Sequence, residues 1–266
     1  MTKPFDGARI KIERAKHHLQ SFEAEVAGYF ERGGAQVVFE MADEYTEAVG
    51  APMGAFVYRE SEPRPDMWSA MVGDIVHNLR ASLDLMATDL HRISGGDPKH
   101  SKKVHYPFCN DRSELNATIS ARKLNRIDPA FREIIDATAP FKGGNDGLYA
   151  VHQLDILDKH QTLVPTLSIV QMDWPVPIVE GDQKFGTCVA MDGQRLMLFP
   201  PGLCPLPIGS RIPADVTVVF DDVDVFRGIE IVPQLAACIR SVEHILNLFK
   251  RVADQRDGGE PSEPPD

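Results

Sequence analysis

The chain has 266 residues, 43% hydrophobic and 25% charged, a balance that fills a globular core in one large domain or two small ones. Its 39 acidic against 28 basic residues give a formal charge of −11. That total excludes a broad basic surface for duplex nucleic acid, which needs clustered Lys and Arg, but leaves room for a small basic pocket.

The opening "MTKPFDGARIKIERAKHHL" has no apolar run behind its basic residues, so no secretory leader is expected. From about Gly7 to Arg32 the pattern is helical, with Ile10, Ala15, Leu19, Phe22, Val26 and Phe30 as its apolar positions and Gly33-Gly34 as its stop. His17 and His18 are adjacent and point about 100° apart on such a helix, which reads as a solvated edge. "AQVVFEM" and "GAFVYRE" read as two short strands, separated by a polar segment with Gly50 and Pro52. After the stop "SEPRPD", with Asp66 as candidate N-cap, a helix is predicted from about Met67 to Ile93. "VHYPFCN" is an extended connection, and "RSELNATISARKLNRI" and "PAFREIIDATA" are two further helices, the second opened by Pro129. "FKGGNDG" is a loop without the Lys-Ser/Thr of a phosphate-binding P-loop, and "LYAVHQLDILDKHQTL" is a helix reaching to about Pro165.

From Thr166 to Gly228 β-branched residues, Pro and Gly dominate. Trp174, with Pro175 and Pro177, reads as an edge or loop anchor. "KFGTCVAMDGQRLMLFP" has the look of a hairpin turning at Asp192-Gly193, and "ADVTVVFDD" is another strand. A closing helix over about 231–252 carries Leu235, Ile239, Val242, Leu246 and Phe249 on one side and leaves His244 in solvent. The fold class expected is α+β in one domain over 1–253. It would have a helical core of five to six helices (1–165 and 231–253), a β-rich segment (166–228) packed on it, and a disordered acidic tail at 254–266. The four cysteines form no CxxC pair and read as reduced, mostly buried thiols, and no stretch of about 18 apolar residues exists. A cytoplasmic protein without membrane contact is expected.

Two helical stretches carry the chemistry. Along the helix that contains "GDIVHNLRASLDLMATDL" an advance of about 100° per residue puts Trp68, Val72, Ile75, Leu79, Leu83, Met86, Leu90 and Ile93 on one arc. His77, Arg80, Asp84, Thr88 and His91 fall opposite, with Asn78 on the boundary. This is the pattern of a solvated face with an Arg80–Asp84 i,i+4 pair, or, because Met71 and Leu85 widen the seam, of a buried polar row that must find partners. In "VHQLDILDKHQTL" the residues His152, Asp155 and Lys159 share a face, with Asp158 beside it and His160 nearer Ile156.

These two motifs, in this order and about 65 residues apart, resemble those of a bacterial protein family of uncharacterised function. Its members carry helices similar to HNLRSALDHL and LHxLxxxDKHR. Matching positions carry over His77, Asn78, Arg80 and Asp84 from the first, and His152, Asp158, Lys159 and His160 from the second; the basic residue usual after DKH is Gln161 here. The first motif is also distantly similar to HEPN domains, helical bundles of ribonuclease toxins and phage defence whose active helix carries Arg, a few residues, then His. Arg80 is kept, but the position of that His is Leu85.

Three functions are compatible with these residues. The first expected is a non-catalytic sensor or interaction module with an unknown protein partner, in which the two motifs form a buried Arg/Asp/Lys/His network. The second is a HEPN-like ribonuclease or RNA-binding protein, possible as a homodimer. Arg80 would then hold phosphate, His160 or His77 would serve as base, and Lys159 would stabilise developing charge, with Asn78, Asp84, His152 and Asp158 binding or supporting. The third is a metal-dependent hydrolase built from His77, Asp84, His152, Asp158 or His160, although no compact ligand spacing such as HExxH is present. No metal or cofactor is therefore assigned.

Overall fold

The computed structural model describes residues 3–160, 165–172, 183–200, 206–220 and 226–257. The fold is α+β, and the chain divides into two compact units, one of Met1–Gln20, Ala70–Leu163 and Pro233–Asp266, the other of Ser21–Ser69 and Val164–Val232.

The first unit is helical. α1 (Asp6–Glu31) contributes its residues up to Gln20, and α3 (Met67–Ile93) its residues from Ala70, while α2 (Asp43–Val49) belongs to the other unit. On α1 the buried stripe runs through Ala8, Ile12, Ala15 and Leu19. Ile10, expected in that stripe, is 58% exposed, because two residues from Ile12 is about 200° round the helix. On α3 the expected seam is buried from Val72 to Leu90, and Val76, Ser82 and Ala87 are buried too, so this helix is covered on more than one side. Ser82 Oγ donates to the Ala8 carbonyl, tying α3 to α1.

The stretch expected as a helix over 112–127 is shorter: a 3₁₀ turn at Arg112–Glu114 and α4 at Leu115–Ala121. The chain leaves it through Lys123 in the left-handed region, φ 62°. α5 (Pro129–Thr138) opens as expected, with Pro129 at the first turn and the Asp128 carboxylate accepting from the Ala130 amide. α6 (Asp146–His160) is capped by Asn145, whose side chain accepts from the Leu148 amide. α7 (Ile231–Asp257) buries Leu235, Ile239, Val242, Leu246 and Phe249, and leaves His244 exposed. It runs four residues into the stretch expected to be a disordered tail, the rest of which lies outside the described residues. Phe249 packs on Phe5 and Phe131, closing this core.

The second unit holds two antiparallel sheets. β1 (Ala35–Met41) and β2 (Gly54–Glu60) pair from Ala35 with Glu60 to Met41 with Gly54, and the polar segment between them contains the short α2 (Asp43–Val49), ended by Gly50 at φ 72°. The other strands are β3 (Pro165–Met172), β4 (Gln183–Val189), β5 (Arg195–Phe199), β6 (Arg211–Ile212) and β7 (Ala214–Phe220). Their orders are β5-β2-β1-β6 and β4-β3-β7. The hairpin expected between β4 and β5 is therefore corrected: Asp192-Gly193 is a turn, with Gly193 at φ 79°, but it carries the chain from one sheet to the other. The unfilled edge of β2 captures it, since the Gly193 amide donates to the Tyr58 carbonyl and the Asp192 carboxylate accepts from the Glu60 amide. Trp68 packs edge-on to Phe22 and Tyr29 in this unit. Trp174 lies outside the described residues.

Candidate functional site

The two motifs meet inside the helical unit, where α3 and α6 approach closely. They do so because Gly73 lacks a side chain: a Cβ there would stand 2.3 Å from Asp158 Oδ1 and 2.7 Å from its Cγ. One turn further along α3, His77 Nδ1 lies 3.1 Å from Asp155 Oδ1, and Lys159 Nζ donates to Asp155 Oδ2 at 2.5 Å. The Asp155 carboxylate is 5% exposed whereas the His77 ring is 55% exposed. A buried carboxylate thus fixes an accessible imidazole. With Nδ1–H donating to Asp155, the neutral ring carries its lone pair on Nε2.

Arg80 and Asp84 follow on the same face of α3. Arg80 donates through one terminal nitrogen to Asp84 Oδ1, which also accepts from the Tyr106 amide at 2.8 Å, while Asp84 Oδ2 faces His105 Nδ1 at 3.2 Å. The Arg80 guanidinium lies over the Phe108 ring, 4.9 Å from its centroid, within the range of a cation–π contact. Phe108 in turn stacks on His152 at 4.7 Å and 11° between planes.

These side chains surround an open cleft of about 380 Å³ lined by His77, Arg80, Asp84, His105, Asp155 and Lys159, with Lys11 and Lys102 contributing further positive charge. Each carboxylate in it is engaged by a cation or an imidazole, so the ammonium groups, the guanidinium and the two rings are what a ligand would meet. That lining suits an anion carrying a proton to be moved. Leu85 lines the same cleft.

Of the polar residues singled out in the sequence, His77, Arg80, Asp84, Thr88, Asp155 and Lys159 line the cleft. Asn78 is buried at its margin, accepting from Lys11 Nζ at 3.1 Å and donating to the Asp74 carbonyl at 2.7 Å. Asp158 faces Gly73 instead, and burial, with Asp155 and Asp74 nearby, raises its carboxyl above the usual range. His152 sits behind Phe108. Its Nδ1 has no partner among the described residues, and burial, then the Arg80 charge, lowers its pKa to about 4. A half-buried imidazole stacked on Phe108 is a packing group. His91 is turned from the cleft to the carbonyls of Lys123 and Asp97. The His160 side chain lies outside the described residues, so its expected role as base has no geometry here.

Among the described residues, no group of three or more His, Cys, Asp or Glu is placed to hold a metal ion; each cleft imidazole is matched with one carboxylate. No helix among them is long and apolar enough to cross a membrane. Cys109 and Cys238 are buried free thiols, with Cys238 pushed up to about 11 by burial. Reasoning from sequence missed His105 and Lys11, since neither shares a helical period with the motifs. The one available signal for His105 was its place in "VHYPFC", beside the Tyr106-Phe108 pair. Comparison with protein-family models, curated proteins and solved structures gave no match.

Proposed function

We propose that the α3–α6 cleft cleaves a phosphodiester that carries its own nucleophile, the class to which RNA belongs through its 2′-hydroxyl. One observation carries this reading: the accessible His77 imidazole is fixed by the buried Asp155 beside Arg80 and Lys159. Imidazole titrates near neutral pH and serves as general base, worth about 10² to 10⁴ in rate. His77 Nε2 would take the proton from the ribose hydroxyl. Arg80 binds the phosphate with the nitrogens not committed to Asp84, and Lys159 adds charge stabilisation as phosphorus becomes five-coordinate. The HEPN likeness of α3 supports the same use of Arg80. A bacterial source and a toxin or phage-defence role belong to this reading and rest on the family resemblances, while the cytoplasmic setting rests on the cysteine usage.

The test is incubation of end-labelled single-stranded RNA, and of the all-deoxy strand of the same sequence, with wild-type protein and His77→Ala. The RNA should be cut and leave 2′,3′-cyclic phosphate ends, the deoxy strand should survive, and His77→Ala should lose about 100-fold or more of the activity. No cleavage, or equal cleavage by both proteins, refutes the reading.

A second reading is the non-catalytic interaction module, and a specific observation favours it. Asp84 accepts from Arg80, His105 and the Tyr106 amide at once, while the Arg80 side chain is only 11% exposed. A satisfied network of this kind fixes how segments pack. It predicts that neither wild-type protein nor His77→Ala cuts RNA, and that Asp84→Ala, followed by urea unfolding, destabilises the fold.

A further inference from the structure

We infer that His105 is the general acid of this cleft, the second proton-transfer group that protonates the leaving oxygen; the inference rests on the RNA-cleaving reading above. The observation behind it is an order of groups along α3. His77, Arg80 and Asp84 are spaced three and four residues apart on one face, and Asp84 holds His105 through its Nδ1 at 3.2 Å. Residues seven apart lie about 10 Å along a helix. The cleft therefore presents an imidazole on a carboxylate, a guanidinium, and a second imidazole on a carboxylate, in that order.

In-line displacement at phosphorus needs this order. The attacking and leaving oxygens stand on opposite sides of the phosphorus, so base and acid must reach in from opposite ends of a centrally held phosphate. A base and an acid, each one hydrogen bond from those oxygens, stand roughly 9–10 Å apart. His105 arrives on the segment after α3, anchored by the hydrogen bond that the Tyr106 amide donates to Asp84 and by the burial of Tyr106 and Phe108 on either side of Pro107. Its ring is 41% exposed, lines the cleft, and uses Nδ1 on Asp84, which leaves Nε2 for a ligand.

The step balances as follows. The 2′-hydroxyl gives its proton to His77 Nε2 and O2′ bonds to phosphorus. The bond from phosphorus to O5′ breaks, and O5′ departs with the proton of His105 Nε2. The products are a 2′,3′-cyclic phosphate and a 5′-hydroxyl, and exchange with water returns both imidazoles to their starting states.

The experiment replaces the leaving oxygen. An RNA with a single 5′-bridging sulfur at a linkage the wild-type protein cuts releases a thiolate, which needs no proton to leave. His105→Ala should lower cleavage of the oxygen linkage about 100-fold or more and leave the sulfur linkage within about threefold of wild type. His77→Ala should lower both. His105→Asn, whose amide keeps a donor toward Asp84 without a proton to give, should behave as His105→Ala and so separates acid from scaffold. Equal losses on the oxygen and sulfur linkages, or no loss on either, overturn the assignment while leaving the RNA-cleaving reading intact. Absence of any cleavage by wild-type protein overturns both.

Discussion

Acidification should cost this fold stability through the His152 side chain. Burial and the neighbouring Arg80 charge lower its pKa to about 4, against about 6.5 for a histidine in an unfolded chain. Between those values the unfolded chain binds a proton that the native one refuses, so stability falls as pH falls. The contribution is fully present above about pH 6.5 and is lost progressively toward pH 4. Going from about pH 7.5 to about pH 4.5 should remove about 2 to 3 kcal/mol on this account. His152→Phe keeps a flat ring against Phe108 and has nothing to titrate. Urea unfolding of both proteins, followed by far-ultraviolet circular dichroism across that range, isolates the effect as the difference between two curves. The variant should lose about 2 kcal/mol less than wild type over the interval. Parallel curves, within about 0.5 kcal/mol, would show that His152 takes up a proton as easily folded as unfolded, and its role as a neutral packing ring would fall.

Four substitutions test the packing beneath the cleft and in the sheet unit. Gly73→Ala places a methyl 2.3 Å from Asp158 Oδ1, and the resulting strain should outweigh the roughly 1 kcal/mol helix preference for Ala. In an Asp158→Ala background the same change should become neutral or stabilising, a coupling of about 1–3 kcal/mol readable in a double-mutant unfolding cycle. Asp84→Ala leaves the mostly buried Arg80 without its carboxylate and should destabilise by about 2–4 kcal/mol in thermal or urea unfolding. Gly34→Ala drives a methyl to 2.5 Å from the buried Tyr29 ring, whose hydroxyl is tied to the Gly34 and Glu62 carbonyls, and should cost about 2 kcal/mol by the same measurement.

Helical and strand periods made much of this architecture legible. β1 and β2 fall on the two strands read from "AQVVFEM" and "GAFVYRE", and α3 spans Met67–Ile93 as expected, because a continuous apolar seam leaves its boundaries little freedom. Strand partners were not legible. The hydrophobic runs either side of Asp192-Gly193 match a hairpin, but pairing is decided by which edges are open, and β2 offered one. In the site, spacing on α3 brought out His77, Arg80 and Asp84. It gave no hint that His152 turns to Phe108 while Asp155, three residues on, turns to His77. His105 stayed hidden because it belongs to no period at all: an irregular segment delivers it to Asp84.

The unequal burial within the His77–Asp155 pair separates site from scaffold. A carboxylate 5% exposed must be compensated, and Lys159 already provides an ion pair at 2.5 Å, so folding has no strict need of His77. An imidazole 55% exposed adds little to stability through a surface ion pair. His77→Ala should therefore cost less than about 1 kcal/mol of stability, while Asp155→Ala, which orphans both partners, should cost several times more. A cleft that only fixed packing would tie the two losses together. A cleft that moves protons spends Asp155 on orienting a ring that folding can spare, so a His77→Ala protein as stable as wild type but inert toward RNA is the outcome that separates the two. A His77→Ala protein destabilised as severely as Asp155→Ala would return the pair to the scaffold.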